Sequence, residues 1–456
     1  MIPNYEEVSD QIIRRICECG YKAYLCGGAV RDNFLDITPH DYDLVTDALP
    51  DELEKIFPDR KVKTVGANFL VTLIDNIEVS TYRSDKNFAP GRQNCITSVC
   101  QTLDEDLARR DFTFNALAVC PYSGEVIDPF DGRKDLDNKI VKFVGNPIER
   151  IHEDYLRMIR AARFACLIEG SLDRAAFNAI CDHKHLVLKI SPERIRIELL
   201  KVMEYRKPSI FFDILHDTGI LEILFPELDS MYGFDGGIHH SETLDIHFKI
   251  TGDTLSSKDP LLRLVGYFHD IGKIPAHLEN ENNTFVNHEN LGAFMIQTIF
   301  EKYKFTNKEI ERAENLVVFH MRSFDSLTSG KAIRRLLRVF AENNVNWKDW
   351  LKLKVADKRA NLAKEQYKRE HIKKIALKIH KVKKAPERAF DVKDLKISGY
   401  DVMETLNIKP GNLIGAILKI LFERVLDEPE LNDKDKLLEI LRSEEWVKQA
   451  VEIRNS

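Results

Sequence analysis

Apolar residues in the first third of the chain recur in two rhythms. IIRRICECG (12–20) and DELEKIF (51–57) repeat at the spacing of one helix face, whereas KAYLC (22–26) and NFLVTLIDNIEVSTYR (68–83) alternate as strands do. Residues 1 to about 145 therefore read as mixed helix and strand. From Glu149 onward the strand signals fade and helical periodicity dominates, punctuated by SPER, FPELDSMYGFDGG and KPGN. A small mixed-sheet head followed by a long helical body is the expected α+β architecture.

The strand KAYLC runs into Gly27-Gly28, a permissive turn that lets backbone bend tightly or approach a phosphate, and AVRDNFL predicts a helix whose first amides face an anion. YRSDKNFAPGRQN (82–94) is polar, carries Pro90-Gly91 and has little periodicity, so a mobile loop is expected there.

At 456 residues and 44% hydrophobic content the chain can form two to four domains with substantial cores. No apolar run approaches the roughly 20 residues of a membrane span, and the opening MIPNYEEVSDQIIRRI lacks the basic-then-apolar design of a secretion signal. The expectation is a cytoplasmic protein without a membrane partner. Eight scattered cysteines with no C-x-x-C pair speak for reduced thiols and against zinc ribbons or a disulfide framework. A net charge of −6 gives no global pull on nucleic acid, so any such contact needs local patches. HIKKIALKIHKVKK (371–384) is one candidate, weighed against a solvated helix face.

In a strand, residues two apart share a face, so Asp41 and Asp43 in DYD would set two carboxylates side by side. Uncompensated, that repulsion raises a pKa; a divalent cation removes the cost and makes the pair a chelate. A lone D-x-D is weak evidence, but Gly28 and Arg31 lie just upstream and Glu78 sits in a further alternating strand. Two or three acids, a glycine turn and an arginine are the minimum kit for moving a nucleotide between phosphates, with Mg²⁺ as the natural ion.

GGAVRD followed by DYD resembles the signature of the bacterial-type (class II) tRNA nucleotidyltransferase and poly(A) polymerase family, a branch of the DNA polymerase beta-like nucleotidyltransferases. The resemblance continues in order through LARRDFTFNALA, HEDYLRMIRAARF and SPERIRIELLKVM. It implies a nucleotidyltransferase head over 1–145, a base-selecting neck over 146–205, a helical body over 206–370 and a tRNA-binding tail over 371–456. Asp41, Asp43 and Glu78 become the catalytic acids, with Asp41 and Asp43 as Mg²⁺ ligands; Gly28, Arg31, Arg110 and Asp111 become nucleotide-binding, and Asp111 would accept from a ribose 2′-hydroxyl. The family's CCA-adding and A-adding members carry a flexible head loop that CC-only members have shortened, so the 82–94 segment argues against a CC-only enzyme.

HEDYLRMIRAARF spaces Asp154, Arg157, Arg160 and Arg163 three apart along one helix, which by itself reads as an amphipathic surface helix. The resemblance assigns Asp154 and Arg157 to a protein template that pairs with the incoming base, and leaves Arg160 and Arg163 to reach triphosphate oxygens. The chemistry is consistent: cytosine and adenine both offer an amino donor beside a ring-nitrogen acceptor, which an Asp acceptor beside an Arg donor matches. Uracil and guanine set acceptor against acceptor and donor against donor, at a few kcal/mol each when buried.

A second constellation lies in the helical body: His247, His269-Asp270 in FHDIGK, His288, His320 and Asp357. Imidazoles and carboxylates suit divalent metals, and the order resembles an HD phosphohydrolase domain, here over about 240–360. Read so, His247, His269, Asp270 and Asp357 hold one metal, a transition ion such as Ni, Co or Mn, and His288 and His320 hold a second or orient a phosphate. The segment DLKISGYDVMETLNIKPGNLIGAILKILFERVL, with Gly411 and Gly415, resembles the family's tail, and the implied partners are the tRNA acceptor stem and elbow with CTP and ATP. Oligomeric state is not readable. CCA addition leads; an A-adding enzyme with a separate CC-adding partner, a poly(A) polymerase, and an HD phosphohydrolase with a degenerate head stand as alternatives.

Overall fold

In the computed structural model, residues 5–39, 41–65, 70–86, 96–120, 122–237, 241–279, 284–323, 329–363, 368–384, 392–443 and 445 are described. The alternating segments of the head form a seven-stranded mixed sheet of order β3-β4-β5-β2-β1-β8-β9. Its strands are β1 (Ala23–Cys26), β2 (Asp43–Thr46), β3 (Val62–Val65), β4 (Val71–Ile74), β5 (Ile77–Thr81), β8 (Ala118–Val119) and β9 (Val126–Ile127); β6 (Arg83–Lys86) and β7 (Ile96–Val99) pair as a separate hairpin. The central pair β2–β5 is parallel, and the other sheet neighbours are antiparallel.

The two-residue rhythm of β2 explains how the head packs. Leu44 points into a core with Ile12, Ile13 and Ile16 of the helix Tyr5–Glu18 and Leu53 and Ile56 of the helix Pro50–Ile56. Val45 points the other way, into a core with Cys26, Tyr82, Leu107 and Ala118. Leu53 is fully buried, so truncating it to alanine should cost about 2–5 kcal/mol. Asp43 shares the face of Val45, away from the packed helices.

Two readings are corrected. β2 begins at Asp43, so Asp41 stands two residues ahead of the strand, exposed, rather than inside it. The polar segment 82–94 opens in strand: Arg83–Lys86 pairs with Ile96–Val99 from Arg83↔Val99 to Lys86↔Ile96, because backbone pairing outweighs its weak apolar pattern. Residues 87–95, the rest of the expected loop, lie outside the described residues.

Beyond the head the described residues are mainly helical; Ser171–Leu172 pairs in parallel with Ile140–Val141, and Asp235 bridges Thr243. The chain divides into two compact units, Met1–Tyr232 with Ser256–Pro260 and Lys302–Phe305, and Gly233–Leu255 with Leu261–Glu301 and Thr306–Ser456. Within the second, Leu395, Val402, Ile417, Leu421, Val425 and Leu437 form a core of their own near the C-terminus. The lysine run lies on the helix Arg369–Lys384, which buries Ile375 and Ile379 and exposes Lys373, Lys374, Lys381, Lys383 and Lys384. Gly411 caps the helix Asn412–Asp427, and a Cβ at Gly411 or Gly415 would meet nothing within 4 Å. Among the described residues, no helix is long and apolar enough to cross a membrane, and the described cysteines are free.

Candidate active site

β1 ends at Cys26, Gly27 turns the chain with φ 68°, and the helix Gly28–Phe34 starts immediately after. Gly27 is favoured by its φ in the left-handed region, and a Cβ there would also stand 2.7 Å from Nη1 of Arg110 and displace that guanidinium. Arg110 thus lies against the turn, its Nη2 2.9 Å from Cys26 Sγ and 3.4 Å from Asp106 Oδ2.

On the neighbouring strand, Asp43 pairs in register with Cys26 on one side and Glu78 on the other. Register partners present side chains on the same face, so Asp43 and Glu78 are forced together, with Asp41 nearby. Burial, then the Glu78 charge, then that of Asp41 push the Asp43 carboxyl up to about 6, against the pull of Arg110 and Arg31. Three acids converge on a half-buried position whose net electrostatics favour added positive charge. Oxygen-only donors of this kind fit a hard divalent cation.

A continuous polar chain leads from the glycine turn into the neck. Arg31 donates to Asn115 Oδ1 at 2.7 Å, and Asn115 Nδ2 donates to Asp111 Oδ1 at 2.9 Å. Asp111 Oδ2 accepts from Arg160 Nε at 2.9 Å, and Arg160 Nη1 stands 3.8 Å from Glu198, whose other oxygen takes Arg163. Arg163 also donates to Tyr205 Oη at 2.6 Å. Although burial opposes ionisation of Asp111, Arg160 and Asn115 hold its carboxyl well below the usual range. The guanidinium groups of Arg31, Arg160 and Arg163 lie 5.0, 5.2 and 4.1 Å from the centre of the Phe164 ring.

HEDYLRMIRAARF is not one helix. Pro147–Glu153 ends at Asp154, which is extended (φ −151°), and Leu156–Leu167 begins beyond Tyr155. Asp154 breaks the run because its Oδ1 accepts from the Leu156 amide at 3.1 Å, a capping bond that an in-helix aspartate could not make. Its Oδ2 takes Arg194 at 2.6 Å. Arg157 sits on the second helix, tied to Glu153 and to the carbonyls of Arg150 and Arg109. Asp154 is buried and held within the neck by the Leu156 amide and Arg194, and Arg157 reaches the 103–111 segment through the Arg109 carbonyl.

The histidines of the second unit converge just as closely. Asp270 Oδ2 lies 3.4 Å from His247 Nε2 and 3.3 Å from His269 Nε2, and Asp357 Oδ1 lies 3.3 and 4.0 Å from the same two nitrogens. Asp270 Oδ1 lies 3.4 Å from His288 Nε2 and 3.5 Å from His320 Nε2, which are 3.2 Å apart. The six residues expected from the sequence therefore form one cluster, with Asp270 facing both halves. In each imidazole Nδ1 is already engaged: with Glu242 Oε1 (3.1 Å) for His247, and with the carbonyls of Gly266, Phe285 and Val317 for His269, His288 and His320. That outer ring fixes tautomers and turns every Nε2 inward.

Burial disfavours charge on His247, yet Asp357 and Glu242 outweigh it and raise its pKa to about 9. Asp270 and Asp357 are held well below the carboxylate range despite burial. His269 Nε2 is a buried ring nitrogen without a well-aligned hydrogen bond. Imidazole nitrogens and carboxylate oxygens poised this way fit one or two divalent ions of borderline softness. The turn after His269-Asp270 depends on Gly272, where a Cβ would fall 2.1 Å from the His288 carbonyl oxygen.

Several participants were not visible in sequence motifs. Asn115 lies inside FTFNALA and Glu198 inside SPERIRIE, where no motif spacing marks either residue; an acid on the apolar face of the helix Pro192–Val202 was the signal for Glu198. Glu242 is 5% exposed and holds His247 with one oxygen and the Leu362 amide with the other, 120 residues away. Lys273 contacts Asp270 at 2.8 Å, next to the pair already singled out.

Residues 23–142 match the Poly A polymerase head domain, 171–232 the probable RNA and SrmB-binding site of polymerase A, and 286–441 a putative tRNA nucleotidyltransferase domain 2. The CCA-adding enzyme of Ligilactobacillus salivarius is 28% identical over 447 residues, covering 96% of each chain. That of Enterococcus faecalis is 40% identical over 206 residues, 44% of this chain and 50% of the relative. Among solved structures, the Bacillus stearothermophilus CCA-adding enzyme in complex with CTP aligns over all of both chains with a TM-score of 0.68 at 22% identity. The Thermotoga maritima CCA-adding enzyme complexed with tRNA aligns over 97% of this chain and 95% of its own, with a TM-score of 0.56 at 18% identity. These likenesses establish the fold.

Proposed function

We propose that the chain is a tRNA nucleotidyltransferase of the bacterial CCA-adding kind, which builds or repairs the 3′-terminal CCA of tRNA from CTP and ATP and releases pyrophosphate. The observation that carries the chemistry is the forced meeting of Asp43 and Glu78 across the parallel strands, with Asp41 beside them and a glycine turn one strand away. Asp41, Asp43 and Glu78 are the residues that would hold Mg²⁺, which when bound neutralises the triphosphate and activates the primer hydroxyl. Gly28 and Arg31 border the turn where the triphosphate lies. Arg110, buttressed by Cys26 and Asp106, aims charge at the same place.

Asp111 accepts from the ribose 2′-hydroxyl, a role supported by its fixed position between Asn115 and Arg160. Arg160 brings positive charge to the phosphates, and Arg163 shares Glu198 with it. Asp154 and Arg157 select C and A: capping and ion-pair bonds hold both side chains at the break between the neck helices, where a base can meet an acceptor beside a donor. Supplying tRNAs that end at the discriminator base, at C and at CC, with CTP or ATP alone or together, tests the assignment. Failure to add C to the first would leave an A-adding enzyme, and growth past the terminal A a poly(A) polymerase.

A second activity is supported by the inward-turned Nε2 atoms of four histidines around Asp270 and Asp357. We read this cluster as an HD-type phosphohydrolase site for phosphates at RNA ends, with a divalent transition metal such as Ni, Co or Mn on His247, His269, Asp270 and Asp357. His288 and His320 take a second ion or the phosphate. Undiminished hydrolysis of a 2′,3′-cyclic phosphate by metal-loaded His269→Ala would sink this reading.

A further inference from the structure

Beside the histidine cluster lies a cavity of about 280 Å³ lined by Gly233, Phe234, Asp235, Gly237, His277 and Phe285. Its volume falls just under the roughly 300 Å³ where pockets for whole small molecules begin, so it suits one ring system with the rest of the ligand outside. The two phenylalanines flank the imidazole: Phe234 meets His277 edge-on at 5.3 Å, and Phe285 lies 5.9 Å from it on a tilted plane. Both phenylalanines are partly buried and retain some exposed ring surface at the cavity. His277 Nδ1 is buried with no hydrogen-bond partner among the described residues, a cost that a binding site can retain for its ligand.

The cavity is joined to the metal cluster by two residues. Lys273 Nζ is 2.8 Å from Asp270 Oδ2 and 5.5 Å from the centre of the Phe285 ring, so one ammonium stands between the cluster and the aromatic wall. The Phe285 carbonyl accepts from His288 Nδ1 at 2.7 Å, which ties the same wall to a cluster histidine through backbone. Gly237 permits the close approach: a Cβ there would stand 2.8 Å from the Phe285 ring. At the rim, Asp235 turns back on the Gly237 amide through Oδ1 at 2.9 Å and brings a carboxylate acceptor suited to an exocyclic amino group.

We propose that this cavity is a nucleobase-stacking subsite, so that the histidine cluster acts on the phosphate of a ribonucleotide whose base lies against the aromatic wall of Phe234 and Phe285, with the amino-bearing bases adenine, cytosine and guanine preferred over uracil. The proposal rests on the reading of the cluster as a phosphate site. Stacking on an aromatic face accepts any base, and the carboxylate at the rim favours those that carry an amino group. The ligand is either a free nucleotide or the last nucleotide of an RNA, and both present the same chemistry.

The test uses the full-length, metal-loaded protein with 8-azidoadenosine 2′-phosphate and with a short RNA ending in that nucleotide. Labelled peptides are sequenced, and binding of inorganic phosphate and metal content are measured alongside. Label on peptides carrying Phe234 or Phe285 is expected, and Phe234→Leu and Phe285→Leu should each raise the half-labelling concentration about tenfold. Phosphate affinity and metal content should hold in Phe234→Leu, whose ring meets His277 rather than a cluster residue. Labelling by either ligand supports the subsite, and the ligand that labels identifies the source of the nucleotide. Label confined to head peptides, or unchanged in both variants, overturns the subsite and leaves the phosphate reading standing. A metal-loaded wild type that binds no inorganic phosphate overturns both.

Discussion

Asp43 and Glu78 stand opposite each other in register on parallel strands, and the fold, not a flexible loop, keeps their carboxylates together. The Asp43 carboxyl is consequently raised from an ordinary 3.8 to about 6 by burial first and by Glu78 second. A raised acid pKa means that the folded state prefers the proton. The metal-free fold therefore loses stability as pH climbs from about 4 through 6, by at most about 3 kcal/mol at neutrality.

It follows that Asp43→Asn abolishes nucleotide addition while stabilising the metal-free protein at pH 7.5, with little effect near pH 4. Added Mg²⁺ should raise the melting temperature of the wild type at pH 7.5 but not that of the variant. Calorimetric scans at the two pH values check this; a variant less stable than wild type at pH 7.5 would remove the electrostatic account of the site.

Base selection should fail at Asp154 before it fails at Arg194. Asp154 carries two bonds, one to the Leu156 amide and one to Arg194, so loss of Arg194 leaves the capping bond to orient the carboxylate. Asp154→Ala removes the acceptor itself, and discrimination of CTP and ATP against UTP and GTP should drop roughly 10- to 100-fold, the range of a lost polar mismatch. Arg194→Leu should fall between this variant and wild type. Single-turnover addition with each of the four nucleotides measures the order, and a more permissive Arg194→Leu would reverse the assignment.

Glu198 is the acid on which the neck arginines depend. It is 3% exposed and receives Arg163 directly with Arg160 at 3.8 Å, so Glu198→Leu leaves a buried guanidinium without its counter-charge. Breaking a buried pair from one side costs about 3–5 kcal/mol, which should shift the urea midpoint of the unit that contains the neck. Binding of CTP and ATP should weaken together, without change in base preference.

The contrast between Asp43 and Glu198 shows what was legible beforehand. The glycine turn and the His269-Asp270 pair are local signals, set by close neighbours in the chain, and each is found where the sequence placed it, whereas the alternation around Asp43 holds only from Asp43 onward and leaves Asp41 outside the strand. The break at Asp154 was hidden because a three-residue spacing fits a helix, while the capping bond that ends it depends on side-chain geometry. Glu198, Asn115 and Glu242 act across 35, 84 and 120 residues, distances at which no periodicity operates. Strand pairing of Arg83–Lys86 was likewise set by its partner strand rather than by its own polar residues.

Glu242 offers the sharpest test of the second cluster, because it touches His247 through the nitrogen that faces away from the other ligands. A carboxylate on Nδ1 fixes the tautomer and increases the basicity of Nε2, and loss of such a partner typically weakens metal binding 10- to 100-fold. Protons compete for the same site: with the His247 pKa near 9, bound metal must displace a proton at neutral pH, so affinity should climb as pH rises and level off above about 9. Glu242→Gln removes one of the three carboxylates, with Asp357 and Asp270, that raise that pKa. Its affinity should therefore plateau at a lower pH and at a lower value than wild type. Competition with a chelator across pH 6 to 10 measures both quantities in the full-length protein. A variant with the wild-type plateau at the wild-type pH would show that Glu242 serves Ser241 and the Leu362 amide rather than His247.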